Sequence, residues 1–87
     1  MDRNVILQEL KKVITPYVEN KALIEGMTEQ TDLLVDLKIN SSNLVDIIID
    51  AESQYNIEID FDSAEKMIKV GSCIDVIEEK MKERLKG

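Results

Sequence analysis

The sequence predicts an all-α fold, a small four-helix bundle of three main helices and one short helix, with a long loop after helix 1. Apolar residues recur at steps of three and four in several separate stretches, which is the period of an amphipathic helix. Aromatic residues make up only 3% of the chain, and so we expect an aliphatic core. At 87 residues the chain is long enough for one domain, which we expect to span residues 1–87.

The first helix is predicted to begin at about residue 3, where Asp2 is a suitable N-cap. Pro16 falls inside the apolar pattern of this helix. Because proline lacks a backbone N–H, we expect a kink or an early end there. One helical face holds the apolar residues of this stretch: Ile6, Leu10, Val13, Ile14 and Tyr17.

Residues 21–40 show no sustained period and contain turn formers such as Gly26 and Thr28, which predicts a long loop. A loop of this length in a small domain is usually functional or disordered, and its apolar content favours a functional loop. We expect the loop to be fixed to the core by four apolar side chains: Leu33, Leu34, Leu37 and Ile39.

Residues 41–56 carry the strongest helical pattern, and Asn40 before them is a good N-cap. Val45 and Ile49 lie four residues apart at the edge of the apolar face, where a side chain can remain partly exposed. The face itself is wide and is made of Leu44, Ile47, Ile48, Ala51 and Tyr55.

Two capping boxes predict the remaining helices. After an extended link at 57–61, the stretch Asp62 to Glu65 fits a capping box that opens a short helix. The stretch Ser72 to Asp75 fits the same pattern less well and opens a last helix, which we expect to run to about residue 86.

The charge of the chain is strongly negative, with 18 acidic and 11 basic residues and a formal net charge of −7. This balance argues against binding to nucleic acid or to an anionic membrane surface. Residues 32–65 hold nine acidic residues and only one basic residue, Lys38, so the negative field is concentrated there. A basic protein partner is the natural counterpart of such a surface.

Several classes of function are disfavoured by the residue types present. The chain has no histidine and one cysteine, Cys73, which we expect to be buried, so the usual nucleophile–base pairs of enzymes are missing. We therefore expect neither an enzyme nor a metal site. An EF-hand calcium site is disfavoured because residues 36–46 lack the central glycine and the alternating oxygen ligands.

Targeting signals are also missing from the sequence. The N-terminus has no basic region followed by a long apolar run, and no stretch approaches membrane-spanning length. We therefore expect a cytoplasmic, monomeric protein without membrane insertion.

One stretch at the start of the second predicted helix has a distinctive pattern: Asp36-Leu37-Lys38-Ile39-Asn40-Ser41-Ser42-Asn43-Leu44-Val45-Asp46-Ile47. Four further blocks follow it without a gap: Tyr55–Ile59, Ala64–Met67, Val70–Gly71 and Ile74–Ile77. Together these blocks resemble the acyl carrier protein family. Members carry Asp-Ser-Leu at the start of their second helix, and the serine receives 4′-phosphopantetheine.

The resemblance implies that Ser41 is the attachment serine for a 4′-phosphopantetheine arm. The adjacent Ser42 is the alternative attachment residue, but its choice would shift every later block by one residue relative to the family pattern. The family's acidic recognition helix and its exposed hydrophobic contact map to the second helix. With the motif residues, the implied partner-docking positions are Asp36, Asn40, Ser42, Val45, Asp46, Ile49, Asp50 and Glu52.

The implied function is to carry acyl intermediates between enzymes of fatty acid, specialised lipid or polyketide synthesis. The implied partners are a phosphopantetheinyl transferase and acyl-loading and acyl-transferring enzymes with basic surface patches. Three positions depart from the family pattern: Lys38 replaces a glycine, Asn40 an aspartate and Ser42 a leucine. These departures suggest a specialised carrier. An arm-less helical adaptor and an aminoacyl or peptidyl carrier stay open as alternatives.

Overall fold

Three amphipathic helices form the body of the protein. The computed structural model describes the backbone of residues 2–86 and the side chains of residues 2–84. Helices α1, α3 and α5 pack on one another around a shared aliphatic core. The predicted helical bundle is confirmed. In chain order the elements are α1 (Arg3–Ile14), a 3-10 turn (Thr15–Tyr17), α2 (Ala22–Glu25), α3 (Ser41–Tyr55), α4 (Phe61–Glu65) and α5 (Val70–Lys86).

The first helix begins and ends where its sequence predicts. The Asp2 carboxylate accepts a hydrogen bond from the backbone N–H of Asn4 at 2.8 Å, which caps α1. The helix ends at Ile14, and Pro16 lies in the 3-10 turn that follows. The early end at the proline is therefore confirmed.

The long loop contains one short helix that the sequence pattern did not predict. Helix α2 is a single turn of four residues, and only Ile24 in it is buried. One turn is too short to show a helical period, which explains the omission. Of the predicted loop anchors, Leu34 is half-buried and three are buried: Leu33, Leu37 and Ile39.

Backbone hydrogen bonds join this loop to Ile68, which lies between α4 and α5, and to the first two residues of α5. The N–H of Leu33 donates to the Ile68 carbonyl at 2.8 Å, and the N–H of Val70 donates to the Thr31 carbonyl at 2.9 Å. A third bond runs from the Gly71 N–H to the Glu29 carbonyl at 2.9 Å. We call these three bonds the loop ladder.

Arg3 adds a side-chain clamp at the same end of the bundle. Its guanidinium pairs with Glu29 of the loop and with Asp75 and Glu78 of α5. Hydrogen bonding to Arg3 lowers the pKa of Glu29 from its ordinary value. One cation therefore holds the first helix, the loop and the last helix together.

The predicted starts of the last two helices are wrong. Helix α4 begins at Phe61 with Asp60 as its N-cap, not at the Asp62 capping box. Helix α5 begins at Val70, before the Ser72 box. The Val70 and Gly71 N–H groups donate to loop carbonyls, so α5 can begin there without a side-chain cap.

Among residues 2–86, every helix is too short or too polar to span a bilayer.

Replacement of Gly71 by alanine should destabilise the protein by about 1–3 kcal/mol. A Cβ at this position would lie 2.9 Å from the Glu29 carbonyl oxygen, which is backbone and cannot easily move. Gly26→Ala is the matched control, because nothing lies within 4 Å of a Cβ there. Urea unfolding of both variants compares them, and equal stabilities would contradict the prediction.

Loss of the Asp60 carboxylate should lower stability at neutral pH but not in acid. The Ser63 hydroxyl and the Lys80 ammonium, at 2.9 Å, hold the pKa of Asp60 below its ordinary value of 3.8. The stabilisation is therefore present above pH 3.8 and is lost as the pH falls further.

Urea unfolding of wild type and Asp60→Asn, above and below pH 3.8, measures this loss. Glu58→Gln, at an exposed carboxylate of the same link, controls for removal of one negative charge. An Asp60→Asn deficit that persists in acid would show that the ion pair is not its cause.

Candidate functional site

Ser41 is the first residue of α3 and directly follows the long loop. Asn40 before it has an extended backbone, and its side-chain oxygen accepts the Ser42 N–H at 3.0 Å. This is the predicted N-cap. Ser41 is exposed, so its hydroxyl is accessible to a separate enzyme at the end of the helix.

The two adjacent serines differ in their hydrogen bonds. The Ser42 hydroxyl donates to the Asn40 side-chain oxygen at 3.0 Å and so belongs to the cap. Within residues 2–84, the Ser41 hydroxyl makes no such side-chain hydrogen bond. The local geometry therefore leaves Ser41 the more available of the two hydroxyls.

The surroundings of Ser41 are favourable for an anion. The first turn of α3 contains no acidic residue, and the helix dipole favours negative charge at this end. A phosphodiester on the Ser41 oxygen would be stabilised by this end of the helix. The residues present therefore fit the arm that the family pattern implies.

Lys38 adopts a backbone conformation that suits glycine. Its φ is +56°, in the left-handed region, where side chains with a Cβ are disfavoured. The family pattern has glycine at this position, and the structure supplies the physical reason. The chain reaches Ser41 through this strained residue.

The outer face of α3 presents two apolar side chains close to an acid. Val45 and Ile49 are 56% and 53% exposed, and Asp46 is exposed beside them. Large aliphatic side chains at this exposure are free to contact another molecule. The structure thus brings together three of the predicted docking residues on one helix.

The other predicted docking acids have contacts within the chain. Asp50 accepts a hydrogen bond from the Tyr17 hydroxyl at 2.7 Å, and this bond raises the pKa of Tyr17 to about 12. Glu52 is half-buried and accepts the Ile59 N–H at 2.8 Å. Asp36 is exposed and accepts the Asp32 N–H at 2.8 Å. Their docking role stays a prediction.

Two exposed apolar residues near this region were not singled out from the sequence. Val35 in the loop is 71% exposed and Phe61 at the start of α4 is 76% exposed. The exposure of Phe61 could have been predicted from the sequence, because this only phenylalanine of the chain is flanked by two acidic residues, Asp60 and Asp62. Val35 offered none, since an isolated valine in a loop is ordinary.

Cys73 is buried in the core, as predicted, with 1% of its surface exposed. Burial raises the pKa of its thiol to about 12, which keeps the thiol protonated at neutral pH. No group of three or more potential metal-ligating side chains occurs among the described residues.

Replacement of Lys38 by glycine should stabilise the protein by about 0.5 kcal/mol. The left-handed conformation costs about 1 kcal/mol for a residue with a Cβ, and the greater freedom of glycine in the unfolded chain offsets part of that gain. Asn56, also left-handed at φ +53°, is the control, because asparagine tolerates this region.

Chemical unfolding would therefore show a larger gain for Lys38→Gly than for Asn56→Gly. A Lys38→Gly protein that is less stable than wild type would contradict the proposed strain.

The chain is similar to known proteins at the level of solved structures. No family model and no curated protein matches the chain. Among solved structures, the chain is similar to an acyl carrier protein from Enterococcus faecalis, with 26% sequence identity and a TM-score of 0.74. The match covers 92% of this chain and 99% of that one.

This likeness bears on two of the predictions. It agrees with the prediction that the chain is not an enzyme, since an acyl carrier protein is not one. It also extends over nearly the whole chain, beyond the sequence blocks that suggested the family. The resemblance to the acyl carrier protein family is therefore confirmed at the level of the fold.

Proposed function

We propose that the chain is a working acyl carrier protein, in which Ser41 accepts 4′-phosphopantetheine from coenzyme A. The observation that carries this proposal is the exposed Ser41 hydroxyl at the first residue of α3, beside a Ser42 hydroxyl that is engaged in the cap. In the transfer, the Ser41 oxygen forms a bond to phosphorus. The bond from phosphorus to the adenosine bisphosphate leaving group breaks, and the serine proton passes to the transferase or to solvent.

When attached, the arm supplies a thiol that holds acyl groups as thioesters. The chain's own part is to present that arm and to be recognised. Helix α3 holds the phosphodiester at its N-terminus, and the loop ladder fixes the segment that leads into Ser41. The proposed setting is the cytoplasm, with the chain as a monomer that visits several enzymes of fatty acid, specialised lipid or polyketide synthesis.

Partner binding is proposed to use the outer face of α3. The exposed acids attract enzymes with basic patches and speed the encounter, while Val45 and Ile49 add a small apolar contact. Because Asp50 and Glu52 hold Tyr17 and the Ile59 backbone, Asp46 is the acid best placed for direct contact. Asp36, Asn40 and Ser42 border the attachment point itself.

An arm-less adaptor with the same fold is the second candidate. The observation that favours it is the changed motif, with Asn40 and Ser42 where the family has aspartate and leucine. An aminoacyl or peptidyl cargo is compatible with the same attachment site and differs only in the enzymes that load the arm.

Intact-mass measurement tests the proposal directly. The purified protein is incubated with coenzyme A, magnesium and a broad-specificity phosphopantetheinyl transferase, beside Ser41→Ala and Ser42→Ala variants. We expect wild type and Ser42→Ala to gain one phosphopantetheine and Ser41→Ala to gain none. Ser42→Ala is a fair control because Asn40 still accepts the backbone N–H of residue 42.

Two results would change the conclusion. A gain that is lost only in Ser42→Ala would keep the carrier function but move the attachment site by one residue. No gain in wild type, repeated with the transferase of the source organism, would favour the arm-less adaptor.

A further inference from the structure

Lys38 is the one basic residue of the acidic segment 32–65, and it lies three residues before Ser41. Its side chain is exposed. Within residues 2–84, the ion pairs are formed by Arg3 and Lys80, and Lys38 takes part in none of them. The Lys38 ammonium is therefore available for an anion that the polypeptide itself does not supply.

The backbone on both sides of Lys38 is held in place by hydrogen bonds. The N–H of Leu37 donates to the Asp32 carbonyl at 3.1 Å, and the N–H of Ile39 donates to the Leu33 carbonyl at 3.1 Å. Leu37 and Ile39 are also buried in the core. The lysine side chain thus starts from a fixed point, and only its own rotamers decide where the ammonium lies.

The pattern of burial places Lys38 on the outer side of the loop, together with Asn40. The residues on either side of Lys38 are buried, whereas Lys38 and Asn40 are exposed. The Asn40 side-chain oxygen accepts the Ser42 N–H at 3.0 Å, so this outer side leads to the first turn of α3. Ser41 is at most about 11 Å from Lys38 along the backbone, and the flexible lysine stem covers much of that distance.

A second lysine near the start of α3 is already engaged. Lys21 lines the same cleft as Asn43 in the first turn of the helix. Its ammonium donates to the carbonyls of Thr15 and Val18, at 2.5 and 2.6 Å. Lys21 therefore closes the end of the 3-10 turn, and Lys38 is the cation that remains for an anion on Ser41.

The backbone of Lys38 agrees with a role outside the fold. Its φ of +56° is disfavoured for a residue with a Cβ, so lysine here lowers the stability of the arm-less protein relative to glycine. Strained residues that fixed neighbours hold in place occur frequently at functional sites. The strain does not identify the ligand, but the charge of Lys38 and its distance from Ser41 do.

We propose that Lys38 is a positioning residue for the arm, whose ammonium pairs with the phosphodiester on Ser41 and holds that end of the arm against the loop. The proposal rests on the proposed attachment of the arm to Ser41. The nine acidic residues of segment 32–65 create a negative field that repels a phosphodiester. A lysine at this point offsets the field where the anion is attached.

Phosphorus-31 NMR observes the paired group directly. The arm is attached to wild type, Lys38→Gln and Lys38→Arg, and intact mass confirms complete loading. Lys38→Gln removes the charge but keeps the Cβ, so the backbone strain is unchanged. We expect the phosphorus resonance to move in Lys38→Gln and to return towards its wild-type position in Lys38→Arg, because arginine restores the cation.

Salt distinguishes an ion pair from an indirect effect of the substitution. An increase from about 0.01 M to about 1 M sodium chloride shortens the Debye length from about 30 Å to about 3 Å and weakens an exposed pair. The wild-type resonance should therefore approach that of Lys38→Gln at high salt.

Lys12→Gln is the matched control for the loss of one positive charge. Lys12 is exposed and lines a cleft with Asp50, which is nine residues after Ser41 in α3. Nine residues of helix span about 14 Å, so this lysine is too far away to pair with the arm's phosphodiester. The phosphorus resonance of Lys12→Gln should coincide with that of wild type.

Thermal unfolding gives a second readout. Because the pair exists only when the arm is attached, attachment should raise the unfolding midpoint of wild type by about 2–4 °C more than that of Lys38→Gln. Each protein is compared with its own arm-less form, so any effect of the substitution on the arm-less fold cancels.

The outcomes separate this inference from the proposed function. If wild type accepts no arm, the proposed function fails and this inference fails with it. If wild type is modified at Ser41 but the resonance is the same in Lys38→Gln, or moves as far in Lys12→Gln, the pairing is overturned and the carrier function stands. Should the transferase not modify Lys38→Gln, a wild-type resonance that salt leaves in place overturns the pairing by itself.

Discussion

The position of Ser41 depends on the loop ladder. These three backbone hydrogen bonds join the long loop before α3 to Ile68 and to the start of α5. Loop carbonyls at Glu29 and Thr31 accept the first N–H groups of α5, and Leu33 donates to Ile68. A buried loop normally leaves such groups unsatisfied, at a considerable cost in free energy. Here the loop and the start of α5 satisfy each other, so the loop is held close to the core along its length.

This mutual satisfaction also explains which elements the sequence could and could not predict. The faces of α1 and α3, the end of α1 before Pro16 and the Asn40 cap follow from local patterns. The start of α5 does not, because its N-terminal N–H groups are satisfied by residues about 40 positions earlier in the chain. Local capping signals at Ser72 were therefore read as the start of a helix that begins at Val70.

The candidate site also combines features that local sequence patterns predict with features that depend on contacts between distant residues. The helix N-terminus follows from the Asn40 cap, and the role of Ser41 is implied by the family resemblance. The position of Ile49 at the edge of the apolar face predicted its partial exposure, which the structure shows. The bond between Tyr17 and Asp50 joins residues 33 apart, and no local pattern indicates it. An acid on a solvent-facing position can thus have a structural partner that only the folded chain reveals, which limits inferences from charge alone.

The burial of Cys73 has a practical chemical consequence. The chain has one cysteine, and its protonated thiol is enclosed in the core of the folded protein. Reagents that alkylate thiolates would therefore leave the native polypeptide unlabelled at neutral pH. Any thiol that is titrated on the folded protein would belong to an attached group, and a simple colorimetric assay would give the fraction of molecules that carry it.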